Sequence, residues 1–359
     1  MSQQAGEASK IKGRFRNSHK VYGAGLGDLV GIIKAYLGAK RTAPSPKSAV
    51  PLEPITQAEL ARPQARLYRL GHSTVLMYLD GKWLLTDPVF SERASPFQWV
   101  GPKRFHPSPI AIEALPDIDG VILSHDHYDH LDSAAIKALA GRVKHFYMPL
   151  GVGKRLIRLG IDKARITELD WWQSAQLGTI ELTATPAQHF SGRGLFDRDS
   201  TLWAGWAMRG KQARVFFSGD SGYFPGFAEI GERLGPFDMT LMETGAYNEL
   251  WRDIHMMPEE SLQAHLDVKG QVMVPIHNGT FDLALHDWYE PLEQIRALAW
   301  DRSVKIATPI FGEALSLTLP GSGSDWWAQD SAIAVGADAR EKARVPDAAG
   351  SNLAGVAES

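Results

Sequence analysis

The stretch Gly120–Asp132, GVILSHDHYDHLD, decides how this chain is read. Val121–Leu123 is a short apolar run of the kind that forms a buried strand. The chain then releases five side chains able to bind a metal: His125, Asp126, His127, Asp129 and His130. In an extended segment residues two apart point the same way, so His125 and His127 can grip one ion. Adjacent Asp129 and His130, where the chain turns, can serve a second ion nearby. Asp132 or Ser133 then stands as the N-cap of a helix over Ala134–Ala140. A solvated polar turn gives no reason for such a run of histidines, so the segment reads as a metal loop.

One loop cannot complete two coordination shells, because a zinc ion takes about four ligands, one of them solvent at a catalytic centre. The chain has no cysteine, so the missing ligands are His, Asp or Glu, a set suited to zinc, manganese or iron(II). Three candidates follow other strand-like runs: His189 after Leu182–Pro186, Asp220 after Val215–Phe217, and His277 after Val272–Ile276. Taken singly, each has an ordinary reading as a loop histidine or a turn aspartate. Beside the dense loop they gain weight together. Asp87, in WLLTDP, is a candidate to accept the outward ring N–H of a ligating histidine, although before Pro88 it is equally a turn residue. His72, in LGHST, is a second candidate for a place near the site. Gly151-Val-Gly153-Lys154 lacks the GxxxxGK[ST] spacing of a phosphate loop and reads as a helix start. His19, His106, His145, His265 and His286 read as structural or surface residues.

The 359 residues suffice for a sizeable core, and 44% apolar with 22% charged content is ordinary for a globular chain. A net charge of -3 gives no reason to expect nucleic acid as a partner. No uninterrupted apolar run reaches the ~18 residues of a membrane span, and Asp28 breaks the one run that resembles a secretion signal. Three zones are expected. Residues 1–64 form a basic N-terminal extension, with a short helix carrying Leu26, Leu29, Val30, Ile33 and Leu37 on one stripe and a Pro-rich connection after it. That helix reads as packed on the body, with a membrane-surface contact through residues 24–38 as the sharper alternative. Residues 65–320 form the folded body. Grouped strands at Val75–Leu79, Trp83–Leu85, Gly120–Leu123, His145–Met148, Thr179–Thr185, Val215–Phe217, Met239–Met242 and Val272–Ile276 break strict βαβ alternation, so sheets packed on each other with helices outside are expected. Residues 321–359, rich in Ala, Gly, Ser and Asp, read as a mostly disordered tail.

The metal loop with a later His, Asp and His at strand ends resembles the metallo-β-lactamase superfamily. Within it, TDPVFSERASPFQWVGPKRFHPSP (Thr86–Pro109), HDHYDHLD, ELDWW (Glu168–Trp172), PAQHF (Pro186–Phe190), GDSGY (Gly219–Tyr223), GPFD (Gly235–Asp238), GAYN (Gly245–Asn248) and IHNGTF (Ile276–Phe281) resemble the N-acylphosphatidylethanolamine-hydrolysing phospholipase D family. The resemblance covers roughly residues 65–315. It implies an α/β (α+β) fold, a four-layered αββα sandwich, with two zinc ions. His125, His127 and His189 would hold one, Asp129, His130 and His277 the other, with Asp220 bridging. Tyr128 and His255 would meet the phospholipid head, and Asp129, Asp220 and His255 would carry catalysis. A homodimer is also implied. The chain departs from the family at Asn278, where relatives commonly have Trp, and at Glu243. The expected function is a zinc phosphodiesterase acting on a phospholipid, cytoplasmic or peripheral on a membrane. A lactonase or other ester hydrolase with the same metals is the alternative, because the same activated water attacks a carbonyl. A metal-binding scaffold without turnover is the third reading.

Overall fold

The computed structural model describes residues 8–20, 34–35, 38–194 and 196–331. A small antiparallel hairpin, β1 (Lys10–Ile11) and β2 (Arg14–Phe15), comes first. Two seven-stranded sheets follow. The first contains β3 (Arg66–Arg69), β4 (Val75–Leu79), β5 (Lys82–Thr86), β6 (Ile118–Ile122), β7 (Val143–Pro149) and β8 (Ile166–Leu169), with the late strand β16 (Leu315–Ser316) beside β3. The second runs β9 (Ser174–Leu177), β10 (Ile180–Thr185), β11 (Gly205–Arg209), β12 (Arg214–Phe217), β13 (Phe237–Glu243), β14 (Gly270–Ile276) and β15 (Lys305–Ile306) in spatial order. Each sheet is antiparallel among its first strands. It becomes parallel from β5 and from β12 onward, where crossover segments return the chain.

The layers follow from side-chain alternation. Met77, Ile122, Phe217 and Leu241 enter one core between the sheets, where they meet Val75, Leu182, Trp206 and Ile276. Their neighbours Leu76, Val121, Phe216 and Met242 point the other way. Leu76 and Val121 pack with Ile136 and Leu139 of the helix Ser133–Leu139 on the outer face of the first sheet. Phe216 and Met242 pack with Phe227, Leu262 and Ile295 of the helices Gly226–Arg233, Pro258–Asp267 and Glu290–Asp301 on the outer face of the second. The result is helix, sheet, sheet, helix, the four-layered sandwich expected. The parallel strands are apolar on both faces because both faces are covered.

The expected zone boundaries move. Phe15 is buried in the core between the sheets, so the hairpin belongs to the body. The Pro-rich connection is tied down as well, with Glu53 N–H on the Phe311 carbonyl at 2.9 Å. Residues 321–331, expected in a disordered tail, pack instead. Trp327 is buried with Ala43, Trp288 and Leu292, and Asp330 accepts the backbone N–H groups of Lys47 (2.7 Å) and Ser48 (3.2 Å). Two tryptophans and an acid in that stretch supply the apolar and polar contacts that composition alone hid. Most of the expected helix around Leu26–Leu37, and the tail from 332, lie outside the described residues. No helix among the described residues is long and apolar enough to cross a membrane.

Candidate metal centre

The strands of both sheets deliver their functional side chains at one edge. Asp87 stands directly after β5, and the loop from Ser124 to His130 follows β6. His189 follows β10, Asp220 follows β12, Glu243 ends β13 and His277 follows β14. Asp132 fixes the far end of the metal loop. One oxygen caps Ala134 and Ala135 at 2.9 and 3.2 Å, and the other accepts Phe90 and Ser91 N–H at 3.1 and 2.8 Å. Asp87 and His277 both adopt left-handed φ, +32° and +63°, which turns their side chains inward off the strand ends.

Two groups of ligand atoms result. His125 Nε2 lies 2.8 Å and His189 Nε2 3.2 Å from His127 Nδ1. Asp129 Oδ2 lies 3.5 Å from the Nε2 atoms of His130 and His277, and 3.3 Å from that of His72. Asp220 Oδ2 sits between the groups, 3.1 Å from His130 and His277 Nε2 and 3.8 Å from His125 and His189 Nε2. All seven expected ligands therefore meet. His72, expected only near the site, reaches in among the ligand atoms.

The hydrogen bonds behind the rings fix which nitrogen faces the centre. His130 Nδ1–H donates to Asp87 Oδ2 at 2.7 Å. Ser124 Oγ also gives its proton to Asp87, at 2.5 Å, so it accepts from His125 Nδ1–H at 2.9 Å. His189 Nδ1–H donates to the Ile254 carbonyl at 2.9 Å. Each of these rings thus turns its Nε2 toward the centre. Buried His72, His130 and His277 Nε2 and Asp220 Oδ1 have no hydrogen-bond partner. Converging ring nitrogens and carboxylates without partners of their own fit a divalent cation, and they are otherwise costly to bury.

The electrostatics agree. Burial and the neighbouring His130 hold His125 well below the usual imidazole range, and burial does the same for His189. Burial opposes protonation of His130 and His277 as well, but Asp220 and Asp129 outweigh it. His130 is raised well above the usual value and His277 to about 10. The carboxylates thus attract positive charge to the place where the cation fits. Burial pushes His72 down to about 3, with His277 adding to the effect.

A cavity of about 290 Å³ opens on this centre. Its lining combines His127, Asp129, Asp220, His255 and His277 with the apolar side chains of Phe190, Ala246, Trp251, Ile254 and Leu283. His255 is placed there as expected. Tyr128 is not. Its hydroxyl donates to the Arg193 carbonyl at 2.9 Å and its ring lies under the Arg193 guanidinium, so it braces the neighbouring loop.

Two residues escaped the sequence reading. Glu243 is buried, hydrogen-bonds His255 Nδ1 at very short range, and accepts Ser221 N–H at 2.6 Å. Burial and Asp220 raise its pKa, while His255 opposes the shift. Its signal was available, since an acid ends the apolar run of β13 as Asp220 follows β12. Arg193 donates to the carbonyls of Asp126 and Leu131, both at 2.7 Å, and clamps the metal loop from outside. No local pattern marks it.

Residues 82–278 match the profile of the beta-lactamase superfamily domain, more than half of the chain. The chain belongs to the metallo-β-lactamase superfamily. An uncharacterized protein of Mycobacterium tuberculosis is 46% identical over 81% of this chain and 79% of its own length. N-acyl-phosphatidylethanolamine-hydrolyzing phospholipase D 1 of Caenorhabditis elegans is 40% identical over 64% of this chain and 68% of its own. Among solved structures, a metallo hydrolase from Ignicoccus hospitalis superposes with a TM-score of 0.54 at 21% identity, covering 70% of this chain and 97% of that one. The chain is thus a metallo-β-lactamase-fold hydrolase with a candidate His/Asp metal cluster.

Proposed function

We propose that this member of the metallo-β-lactamase superfamily is a dinuclear zinc phosphodiesterase that releases N-acylethanolamine and phosphatidic acid from N-acylphosphatidylethanolamine. The observation that carries the reading is an apolar cavity opening directly on two ligand groups that share Asp220. The 40% identity to a phospholipase D of that type supports the substrate class. His125, His127 and His189 would hold one ion. Asp129, His130 and His277 would hold the other, with His72 beside them and Asp220 between the two. Bound there, two such ions supply the charge that activates water and neutralises phosphoryl oxygens.

The protein's own groups do the rest. Asp129 and Asp220 hold the attacking water toward phosphorus. The bond from phosphorus to the ethanolamine oxygen breaks, and that oxygen takes up a proton. His255, its Nδ1 held by Glu243, presents Nε2 to a phosphoryl oxygen or to the leaving oxygen. Phe190, Trp251, Ile254 and Leu283 exclude water and give an acyl chain an apolar wall.

The test is hydrolysis of N-acylphosphatidylethanolamine vesicles and of a small-lactone panel by metal-quantified protein, with D220N as control. Two zinc equivalents and phosphatidic acid release that D220N loses are expected. Lactone opening without phosphatidic acid release would move the function to an ester hydrolase of the same centre. Lipid cleavage that survives complete metal removal would overturn the reading.

A further inference from the structure

His189 stands four residues beyond the end of β10, where no sheet ladder satisfies its backbone. A side chain from the other end of the sequence does so. Asn17 Nδ2 donates to the His189 carbonyl at 2.8 Å, and Asn17 Oδ1 accepts His189 N–H at 3.0 Å. The same oxygen accepts Trp203 Nε1–H at 3.0 Å. The partners fix the orientation of the amide. Two obligate donors face one atom and a carbonyl faces the other, so oxygen and nitrogen cannot be exchanged.

Asn17 is itself held firmly. It lies two residues after Phe15, whose ring is buried in the inter-sheet core and whose N–H donates to the Asp199 carbonyl at 2.8 Å. Three residues later, Lys20 N–H donates to Gln188 Oε1 at 3.2 Å, and Lys20 Nζ meets Asp253 at 2.6 Å. Gln188 and Asp253 each precede a residue that fixes the imidazole. Gln188 precedes His189 itself, and Asp253 precedes Ile254, whose carbonyl takes the His189 Nδ1 proton. The segment from Phe15 to Lys20 therefore grips both supports of one ring. Three fixed points, the backbone N–H, the backbone carbonyl and Nδ1, determine where His189 Nε2 points.

We propose that Asn17 is a positioning residue for the metal centre, and that the N-terminal hairpin is part of the ligand framework. It acts on the His125–His127–His189 group and not on the group around Asp129. Nothing in the hairpin touches His72, Asp129, His130 or His277 in any hydrogen bond of the described residues. The inference rests on reading those three imidazoles as ligands of one ion. It extends the site beyond the matched region 82–278 to a hairpin more than sixty residues before it.

The experiment is stepwise zinc competition with a chelator on the full chain, comparing parent, N17A and N17D. Cobalt(II) absorption serves as a second readout of coordination geometry. N17D keeps the shape and the acceptor for His189 N–H but sets a carboxylate oxygen against the His189 carbonyl in place of the donor, so it serves if far-UV circular dichroism shows N17A unfolded. Loss of a support behind a ligand weakens binding about 10–100-fold. The expected result is that one equivalent weakens at least about tenfold with a changed cobalt spectrum, while the other stays near parental affinity. Both equivalents at parental affinity would overturn the positioning role. So would equal weakening of both, which is what general destabilisation produces. A parent chain that binds no metal removes the reading of the centre itself, and the role of Asn17 with it.

Discussion

Replacing Asp87 by Asn tests the hydrogen bonds behind the metal centre. The carboxylate is fully buried and accepts three protons: Ser124 N–H at 2.7 Å, Ser124 Oγ–H at 2.5 Å and His130 Nδ1–H at 2.7 Å. Asn fills the same volume and tolerates the left-handed φ of +32° better than most residues, so the backbone has no cause to move. The chemistry changes at one atom. With its oxygen toward Ser124 N–H, the new NH2 faces His130 Nδ1–H and Ser124 Oγ–H, donor against donor. The relief open to His130 is the other tautomer, with Nδ1 accepting and Nε2 protonated. That removes the lone pair aimed at Asp129 and Asp220. Turning the amide over leaves a donor against Ser124 N–H instead. Either way one charge-assisted hydrogen bond is lost, about 1.5–3 kcal/mol, which at 1.36 kcal/mol per tenfold is about 10–100-fold in affinity for one ion. Chelator competition on D87N and parent, with metal content by elemental analysis, reads this directly. Thermal melting of the metal-free forms separates it from loss of fold. D87N that binds both equivalents with parental affinity would refute the tautomer argument.

Two further predictions follow from single contacts. E243Q leaves His255 Nδ1–H without its anionic acceptor while keeping an oxygen for Ser221 N–H, so kcat on the phospholipid is expected to fall at least about tenfold with zinc content unchanged; an unchanged kcat would remove His255 from the proton path. His265 is buried against Thr240 and its pKa is lowered to about 4 by burial, so the fold keeps it neutral while the unfolded chain takes up a proton. Its contribution is unpenalised above about pH 6.5 and is lost as pH falls toward 4, by about 3 kcal/mol in the limit; urea unfolding of metal-free H265Q should lose that part of the acid sensitivity, and a parallel pH dependence in parent and variant would show that the ring is not the cause.

How much of this was legible depended on whether a residue's role was written in its neighbours. Val75–Leu79 was read with its ends in place, and β6, β12 and β14 within a few residues, because strands covered on both faces are uniform apolar runs. β6, β12 and β14 also announced the centre, since each is followed within a few residues by a polar side chain that a buried strand cannot carry inside itself. β9, with Ser174 and Gln176 exposed, and β8, with Glu168 exposed, lie at one edge of each sheet. They present one polar face and too few residues for a period to show. β11 was hidden differently. Gly205 breaks the pattern: a Cβ there would stand only 2.8 Å from Thr185 Oγ1 and 3.0 Å from the Ser218 carbonyl oxygen.

The centre divides in the same way. Asp87, His189, Asp220 and His277 were found because a strand places each of them. Glu243 carries the same mark, but in the sequence it stands out only as a departure from the family, because its partner His255 arrives from a separate loop. Asn17 carries no mark at all. Its partner is 172 positions away, and an Asn within the basic stretch from Arg14 to Lys20 reads as surface. A metal loop is legible because four expected ligands, His125, His127, Asp129 and His130, fall within one short stretch. A support is not, because one amide suffices and the fold alone decides where it comes from. The supports of this centre, Asp87 excepted, therefore had to be read from geometry. Asn17 and Asp87 are also the supports whose loss separates one ion from the other, since each holds a single ligating histidine directly.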